Sequence, residues 1–250
     1  MERIESGDLT VTVTHESRDE IGHLIKRFRK MVNRLRYLID EVYKSKIAQQ
    51  KYEMKALQAQ ICPHFFYNSL SLINSKAILA DHQDISLMAQ FLSSFYRTTL
   101  NNGKNTISVR DEWTNVTSYI QIQCLMHDGS FDVYYDIGDD ILDYTMLNLL
   151  LQPIVENAIV HGIDHKESSG RGLLTISGKQ AHNNLLFTVT DNGCGIHPDV
   201  LENILTTETS GYGIKNVHRR VQLHYGKEYG LSYKSILDEG TTVYLTIPKV

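Results

Sequence analysis

A long, uninterrupted helical pattern near the start of the chain constrains the fold more than any other feature. Neither glycine nor proline occurs between Leu24 and Ile61. Apolar residues recur every seven positions in two series, which are Ile21, Phe28, Leu35 and Val42, and Leu24, Met31 and Leu38. A seven-residue repeat sustained over this length favours a coiled coil over a single amphipathic helix packed on a globular domain. We therefore predict a coiled-coil stem.

The register of the repeat shifts after Val42. A new seven-residue series follows, made of Ile47, Met54 and Ile61. A shift of this kind locally changes the winding of a coiled coil. We place the end of the stem near residue 45, although no glycine or proline interrupts the helix there.

Composition limits the classes of protein to which the chain can belong. It has 250 residues, of which 42% are apolar and 22% are charged, as in a soluble globular protein with more than one domain. No apolar run reaches the ~18 residues of a membrane span, and the polar sequence after Met1 predicts no signal peptide. The cysteines Cys62, Cys124 and Cys194 are too far apart to suggest a zinc site or a disulfide frame. A net charge of −4 gives no indication of nucleic-acid binding.

One histidine, His64, occupies an unusual setting in the sequence QICPHFFYN, residues 60–68. Pro63 lacks a backbone donor and favours a kink or a new helix start, which would place the imidazole at a defined bend. Taken alone, an ordinary surface histidine is an equally good interpretation. A second helix is predicted after a turn near Asp81, with one apolar face made of Ile85, Met88, Leu92, Phe95 and Thr99. Paired hairpins from two chains would form a four-helix bundle.

The rest of the chain mixes helices with mostly antiparallel strands. Strands are predicted at 131–137, 173–178, 185–190, 231–237 and 241–247, and helices at 109–127, 146–163 and 214–225. Asp238-Glu239-Gly240 is a hairpin signal between the last two strands. Because strict strand-helix alternation is absent, we predict an α/β sandwich.

Three short motifs in this region suggest chemistry. In the first, residues 156–162, Asn157 and His161 share a helix face, and the amide oxygen beside the Glu156 carboxylate suits a hard cation such as Mg²⁺. A polar notch in a core helix is the alternative interpretation. The second is DNGCGI, residues 191–196, whose glycines allow close approach to a flat base. Asp191 could accept from the exocyclic amine of adenine, although Asp-Asn-Gly is also a common tight turn.

The third motif, Gly211-Tyr212-Gly213, opens a predicted helix. Free amides at a helix N-terminus bind phosphate, but such a short motif is weak when taken alone. No GxxxxGK[ST] sequence is present, which excludes P-loop chemistry. The Ser- and Thr-containing stretch 197–210 is expected to form a lid over a bound nucleotide.

Taken in order, these motifs resemble sensor histidine kinases of the LytS/YesM type, whose acceptor box reads QINPHFLYN and whose ATP-binding domain is of the GHKL superfamily. Cys62 and Phe66 depart from that box. The resemblance implies that His64 accepts a phosphoryl group. Phe65 stands where most other histidine kinases have an acidic residue, so a general base would have to come from elsewhere.

The same resemblance implies a role for each matching residue of the ATP-binding domain. Asn157 would ligate Mg²⁺, with Glu156 as a base or metal helper and His161 on the same face. Asp191 would bind adenine, and the Thr241 hydroxyl would support the Asp191 carboxylate. The backbone around the nucleotide would be shaped by Gly193 and Gly195 at the base, and by Gly211, Gly213 and Asn216 at the phosphates. Val160 and Lys215 depart from the residues usual in the family. These departures bear on how tightly phosphate would bind, and not on whether it binds.

The N-terminal segment resembles the second half of a HAMP linker, matched by Gly7-Asp8-Leu9, residues 19–22, Leu24, Phe28 and Met31. HAMP linkers join a membrane helix to a signalling domain, so this resemblance implies the cytoplasmic portion of a bacterial cell-membrane receptor with an upstream transmembrane sensor region. From Arg18 to Lys55 there are 11 Lys and Arg against 5 Asp and Glu, a balance that also suits an anionic cytoplasmic leaflet.

The predicted fold is α+β: a coiled-coil and helical-hairpin dimerisation region followed by a GHKL (Bergerat) α/β sandwich. We divide the chain into a partial HAMP linker and stem (1–45), dimerisation and phosphotransfer helices (46–103) and an ATP-binding domain (104–250). The predicted function is a homodimeric kinase that uses ATP and Mg²⁺ to phosphorylate His64 and then a cytoplasmic response regulator, with no nucleic acid as partner. A catalytically silent, ATP-binding dimeric scaffold is the alternative, and a free-standing GHKL ATPase is a third possibility that the His64 box and the stem disfavour.

Overall fold

The computed structural model describes residues 20–59, 63–99, 105–127, 129–166, 170–201, 204–205 and 212–250. Several expectations fall outside these residues: the segment 1–19 of the HAMP-like pattern, residues 60–62 of the histidine box, residues 202–203 and 206–210 of the predicted lid, and Gly211. The chain divides into two compact units, Met1–Ile61 and Cys62–Val250.

The first unit contains one long helix, α1 (Glu20–Ala59). It confirms the predicted uninterrupted helix, and the shift in heptad register does not break it. The seam remains on the surface of the single chain, with Leu24 65%, Met31 60% and Val42 66% exposed. Among the residues that the structure describes, no helix is both long enough and apolar enough to cross a bilayer.

The second unit begins with a helical hairpin. Helix α2 (Pro63–Leu79) starts at the proline, which suits the first helical position because its missing N–H would have no partner there. A turn in which Asp81 has φ 56° leads into α3 (Gln83–Thr99), as predicted. The two helices pack together, and the Ser86 hydroxyl donates to Asn74 Oδ1 at 2.7 Å. Large apolar side chains remain exposed on the hairpin, including Phe65, Leu72 and Leu79.

The remainder of the second unit is a two-layer α/β sandwich, which confirms the predicted fold class. The sheet runs in the order β2-β4-β5-β7-β6, and only the β2–β4 pair is parallel. Its strands are β2 (Phe131–Ile137), β4 (Gly172–Ala181), β5 (Asn184–Asp191), β6 (Gly230–Ile236) and β7 (Gly240–Pro248). Three helices contribute to the core: α4 (Val109–Met126), α5 (Gln152–Asn157) and α7 (Tyr212–Tyr225). A further short helix, α6 (Pro198–Leu201), follows the second motif.

Alternation along the strands places apolar side chains against these helices. Leu185, Phe187 and Val189 of β5 are buried while the residues between them are only half-buried. The same pattern in β7 buries Val243, Leu245 and Ile247. A period of two directs every second residue to the same face, so the residue that ends β5 in this register points into the sandwich.

The predicted helix 146–163 is wrong at its N-terminal end. Met146 and Leu147 belong to a short strand, β3 (Thr145–Leu147), paired with β1 (Thr106–Ser108). Leu149 then adopts φ 53°, and regular helix begins only at Gln152. Apolar composition favoured a helix, but pairing with a strand distant in sequence determined the local structure. After α5 the backbone continues through a π-helical turn, Ala158–Gly162.

Candidate functional site

The site is organised around a buried carboxylate, Asp191, which ends β5 and is 5% exposed. Gly193 N donates to its Oδ1 at 2.9 Å. Burial raises the pKa of Asp191 to about 6, and backbone hydrogen bonds from Gly193 and Thr241 limit that rise. A buried carboxylate that is partly satisfied by amides retains capacity to accept a further hydrogen bond.

Close approach of two glycines joins the first two motifs. A Cβ added at Gly162 would lie 2.7 Å from Asp191 Oδ1, and one added at Gly193 would overlap the backbone of Gly162. Cys194 N donates to Gly162 O at 3.1 Å. Glycine is therefore required sterically at both positions. The sequence analysis placed Gly162 inside a motif without assigning it this role.

The second motif also packs against the end of the β6–β7 hairpin. Gly195 has φ 69°, and a Cβ there would overlap the Ile236 carbonyl. Asp238 N donates to Cys194 O at 2.7 Å, and Ile196 N donates to Ser235 Oγ at 2.8 Å. Three segments distant in sequence thus meet beside Asp191.

Thr241 lies opposite Asp191 in the β5–β7 ladder, as the expected role required. Its hydroxyl, however, is 2.9 Å from the Ser235 hydroxyl, and its effect on the Asp191 carboxyl comes through the backbone. Asp191, Thr241 and Ser235 form one transverse row across β5, β7 and β6. Ser235 was not among the predicted site residues, although its alternation with Leu231 and Tyr233 places it on the inner face.

A cavity of about 600 Å³ adjoins this row and is lined by residues that include Asp191, Tyr233, Ser235, Thr241 and Leu201. Its volume is in the range of small-molecule sites. The Tyr233 hydroxyl is buried and has no hydrogen-bond partner among the described residues. A mixed lining of apolar side chains and one buried carboxylate suits a flat heteroaromatic ring with an amine donor.

Glu156 and Asn157 lie at the end of α5, one exposed and the other half-buried. Burial, and after it the negative charge of Glu156, raises the pKa of Tyr119 to about 12. His161 is exposed, and its ring stacks on that of His165 with centroids 6.3 Å apart. The described residues contain no group of three or more His, Cys, Asp or Glu side chains that could hold a metal. An amide and a carboxylate oxygen nevertheless fit Mg²⁺ held mainly by phosphates and water.

The third motif lies close to the start of α5. Gly213, in the first turn of α7, is exposed, and a Cβ added to it would lie 3.8 Å from Pro153 Cβ. Asn216 is also exposed. Further along α7, Arg220 Nη2 donates to Asn148 O at 2.8 Å, which ties this helix to the segment preceding α5. The N-terminus of α7 thus lies beside the start of α5.

His64 is exposed in the first turn of α2, and its Nδ1 is 3.3 Å from the Asn68 side-chain amide. Aromatic packing fixes this end of the hairpin: the Phe66 ring stacks on Tyr96 at 5.7 Å, and the Tyr67 hydroxyl donates to Tyr96 O. Arg97 lies over the Tyr67 ring, with its guanidinium carbon 6.0 Å from the centroid. The imidazole therefore projects from a rigid helix start.

Comparison with known families matches three consecutive parts of the chain. The HAMP domain family matches residues 1–37, the family described as histidine kinase matches residues 52–131, and the family described as histidine kinase-, DNA gyrase B-, and HSP90-like ATPase matches residues 146–250. The last two matches together cover most of the chain.

Curated relatives are similar along the same length. Sensor histidine kinase YesM of Bacillus subtilis is 32% identical over 245 residues, which cover 98% of this chain and 41% of YesM. Sensor histidine kinase YpdA of Escherichia coli is 36% identical over 201 residues, covering 79% of this chain and 34% of YpdA. The chain thus spans less than half the length of these relatives.

Among solved structures, the histidine kinase domain from the Erythrobacter litoralis EL346 blue-light activated histidine kinase is 18% identical, with a TM-score of 0.47 over 80% of this chain and 94% of that chain. The family matches and the curated relatives agree with one another in type and in order along the sequence. The chain belongs to the sensor histidine kinase family of the LytS/YesM type.

Proposed function

We propose that this chain is the cytoplasmic part of a bacterial membrane receptor that transfers the γ-phosphoryl group of ATP to His64. From His64 the group would pass to an aspartate of a separate response regulator. The main support for the proposal is a cavity lined by the buried Asp191, beside which the first and second motifs pack on each other, in the same folded unit as an exposed histidine.

The adenine end of the nucleotide is assigned to Asp191. Its carboxylate accepts from the exocyclic amine, while the close-packed backbones of Gly162 and Gly193 shape the surface against which the ring lies. Solvent is largely excluded from Asp191, so this hydrogen bond gains strength from the low local dielectric. Guanine, which presents a carbonyl at the equivalent edge, would place an acceptor against the carboxylate.

The phosphate end is assigned to α5 and the start of α7. The amide of Gly213, in the first turn of α7, would bind phosphate oxygens, and the family resemblance implies the same role for Gly211, which lies outside the described residues. Asn157 and Glu156 would hold Mg²⁺, which when bound neutralises charge on the phosphates. The side chains of Asn216 and His161 are exposed, and we assign both to polar groups of the nucleotide.

Transfer requires a neutral imidazole at His64. One ring nitrogen would use its lone pair to form a bond to the γ-phosphorus, while the bond between that phosphorus and the bridging oxygen breaks. The electron pair of the broken bond would leave with ADP. The neighbouring Asn68 amide contacts Nδ1 and cannot titrate, and therefore it orients the ring without acting as a base. Positioning and charge stabilisation supply most of the catalysis in reactions of this kind.

Dimerisation would cover the apolar surface that the single chain leaves in water. The heptad seam of α1 and the outer face of the hairpin both expose large apolar side chains, including Leu24, Met31, Leu72 and Leu79. Contiguous surfaces of this kind indicate association, and seven-residue spacing suits a second copy of the same helix. A homodimer through a helical bundle is therefore part of the proposal, as is a transmembrane sensor region upstream of the HAMP segment.

Incubation with γ-labelled ATP and Mg²⁺ tests this function. We expect acid-labile label on the wild-type protein, none on His64→Gln, and loss of both ATP binding and label in Asp191→Asn. ATP binding without label would instead support the silent scaffold, which the absence of an acidic residue after His64 leaves open. Steady hydrolysis without a phosphorylated enzyme would support a free-standing ATPase.

A further inference from the structure

We propose that α4 couples the phosphoacceptor hairpin to the nucleotide site through two buried polar residues on one helix. Glu112 is a positioning residue for the helix that carries Asn157, and Asn115 fastens α4 to the end of α3. This inference rests on the proposed function, because it concerns how the two halves of that reaction are held together.

Glu112 is fully buried and accepts three backbone hydrogen bonds from the segment that starts α5. Its Oε1 accepts from Leu150 N and Leu151 N, and its Oε2 accepts from Leu149 N, each at 2.8 Å. The first amides of a helix have no partner within the helix and usually bond to a nearby capping side chain. Leu151 at the cap position provides no such side chain. The carboxylate of a residue distant in sequence takes its place.

These bonds determine where the first motif begins. Leu149 has φ 53°, an unusual conformation for a branched side chain, and its own N–H donates to Glu112 Oε2. Helix α5 starts directly afterwards and ends with Glu156 and Asn157. Because helical geometry is rigid over this short length, the Glu112 carboxylate sets the rotation of Asn157 relative to the phosphates.

Asn115 makes the second connection. It is 1% exposed, and its Nδ2 donates to the hydroxyls of Thr98 and Thr99 at 2.8 Å each. Those hydroxyls in turn donate to Phe95 O, at 2.9 Å from Thr98 and 2.8 Å from Thr99. The last turn of α3 is thus bonded through its side chains to the middle of α4.

An aromatic contact reinforces this junction. The Phe95 ring lies 6.1 Å from that of Tyr119, one turn further along α4. Apolar packing alone would allow one helix to slide or rotate on the other, whereas directional hydrogen bonds from Asn115 select one arrangement. Glu112 and Asn115 are three residues apart, so one rigid turn of α4 joins the hairpin to the nucleotide helix.

The two connections predict separable effects on binding and on transfer. Asn115→Ala should leave the ATP Kd within about twofold of wild type, and should lower the autophosphorylation rate at saturating ATP by about tenfold, because the hairpin is no longer held in register. Glu112→Gln should weaken ATP binding by about tenfold, since its amide group turns an N–H donor toward one of the three backbone donors. Ser118→Ala is the matched control, because among the described residues the buried Ser118 hydroxyl bonds only within α4, to Thr114 O.

A double-mutant cycle separates this inference from a general loss of packing. Thr98→Val with Thr99→Val should slow transfer as Asn115→Ala does, and combining all three should add little. Amide hydrogen exchange supplies a readout besides activity: Glu112→Gln should speed exchange at Leu149, Leu150 and Leu151, and Asn115→Ala should not. An unchanged or increased transfer rate in Asn115→Ala, or strictly additive losses, would overturn the proposal. If wild type takes up no label, the proposed function fails, and the exchange and ATP-binding results still decide the role of Glu112.

Discussion

Adding a single methyl group at Gly162 is expected to displace the carboxylate that reads adenine. The new Cβ of Gly162→Ala would lie 2.7 Å from Asp191 Oδ1 and 2.9 Å from its Cγ. Real Cβ atoms essentially never approach heavy atoms within 3.0 Å, so the carboxylate or the π-helical turn must shift by at least a few tenths of an ångström. Any such shift also lengthens the hydrogen bond from Gly193 N, now 2.9 Å.

The size of the effect follows from what the carboxylate loses. Hydrogen bonds to charged groups contribute about 1.5–3 kcal/mol, and one bond of this kind joins Asp191 to the adenine amine in the proposed complex. Losing about 2 kcal/mol corresponds to roughly 30-fold weaker ATP binding. Overpacking adds a stability cost of about 1–3 kcal/mol, which should lower the melting temperature as well.

Isothermal titration with ATP, paired with thermal melting, measures both consequences. Gly178→Ala is the matched control, because its Cβ would crowd Ile141 and Phe187 at 3.0 Å in the core instead of Asp191. It should lower the melting temperature and leave the ATP Kd unchanged. A folded Gly162→Ala protein that binds ATP as tightly as wild type would refute the assignment of Asp191 to adenine.

Two further predictions follow from buried polar groups. Because burial raises the pKa of Asp191 to about 6, ATP affinity should fall as pH drops through that value. The same carboxyl should make the ATP-free protein more stable as pH falls from about 6 toward 4, since the folded state binds the extra proton. Titrations and melts from about pH 5 to about pH 8 check both signs, and a pH-independent Kd would contradict the predicted loss of ATP affinity. Tyr233→Phe should stabilise the ATP-free protein by about 1 kcal/mol in denaturant unfolding, because the hydroxyl has no partner among the described residues; a clear loss of stability would show that it has one.

Local patterns predicted much of the fold because many elements here follow local rules. The proline before His64 and the turn at Asp81 mark the hairpin, and alternation in residues 131–137 predicts β2 with its observed bounds. Glycine and acidic motifs likewise indicated two of the segments that meet beside Asp191, those of Gly162 and of Gly193. The matching order of these motifs carried more information than any one of them.

The features that local patterns did not predict depend on contacts between residues that are distant in sequence. Met146 to Leu151 is apolar enough to suggest a helix, yet β1 pairs with its start and Glu112 binds the amides at its end. Glu112 itself resembles an ordinary acidic residue in the first turn of a helix. Glu112 becomes buried only when α4 packs against the segment that starts α5. Gly162 likewise contacts Asp191 only when the first and second motifs pack together.

Locating the transferred phosphate decides whether His64 is the phosphoryl acceptor. The protein would be incubated with ATP and Mg²⁺, digested under alkaline conditions that preserve phosphohistidine, and mapped by mass spectrometry. The account predicts phosphate on the peptide that contains His64 and on that imidazole alone. Phosphate confined to another residue, or saturating ATP binding with every histidine unmodified, would contradict it.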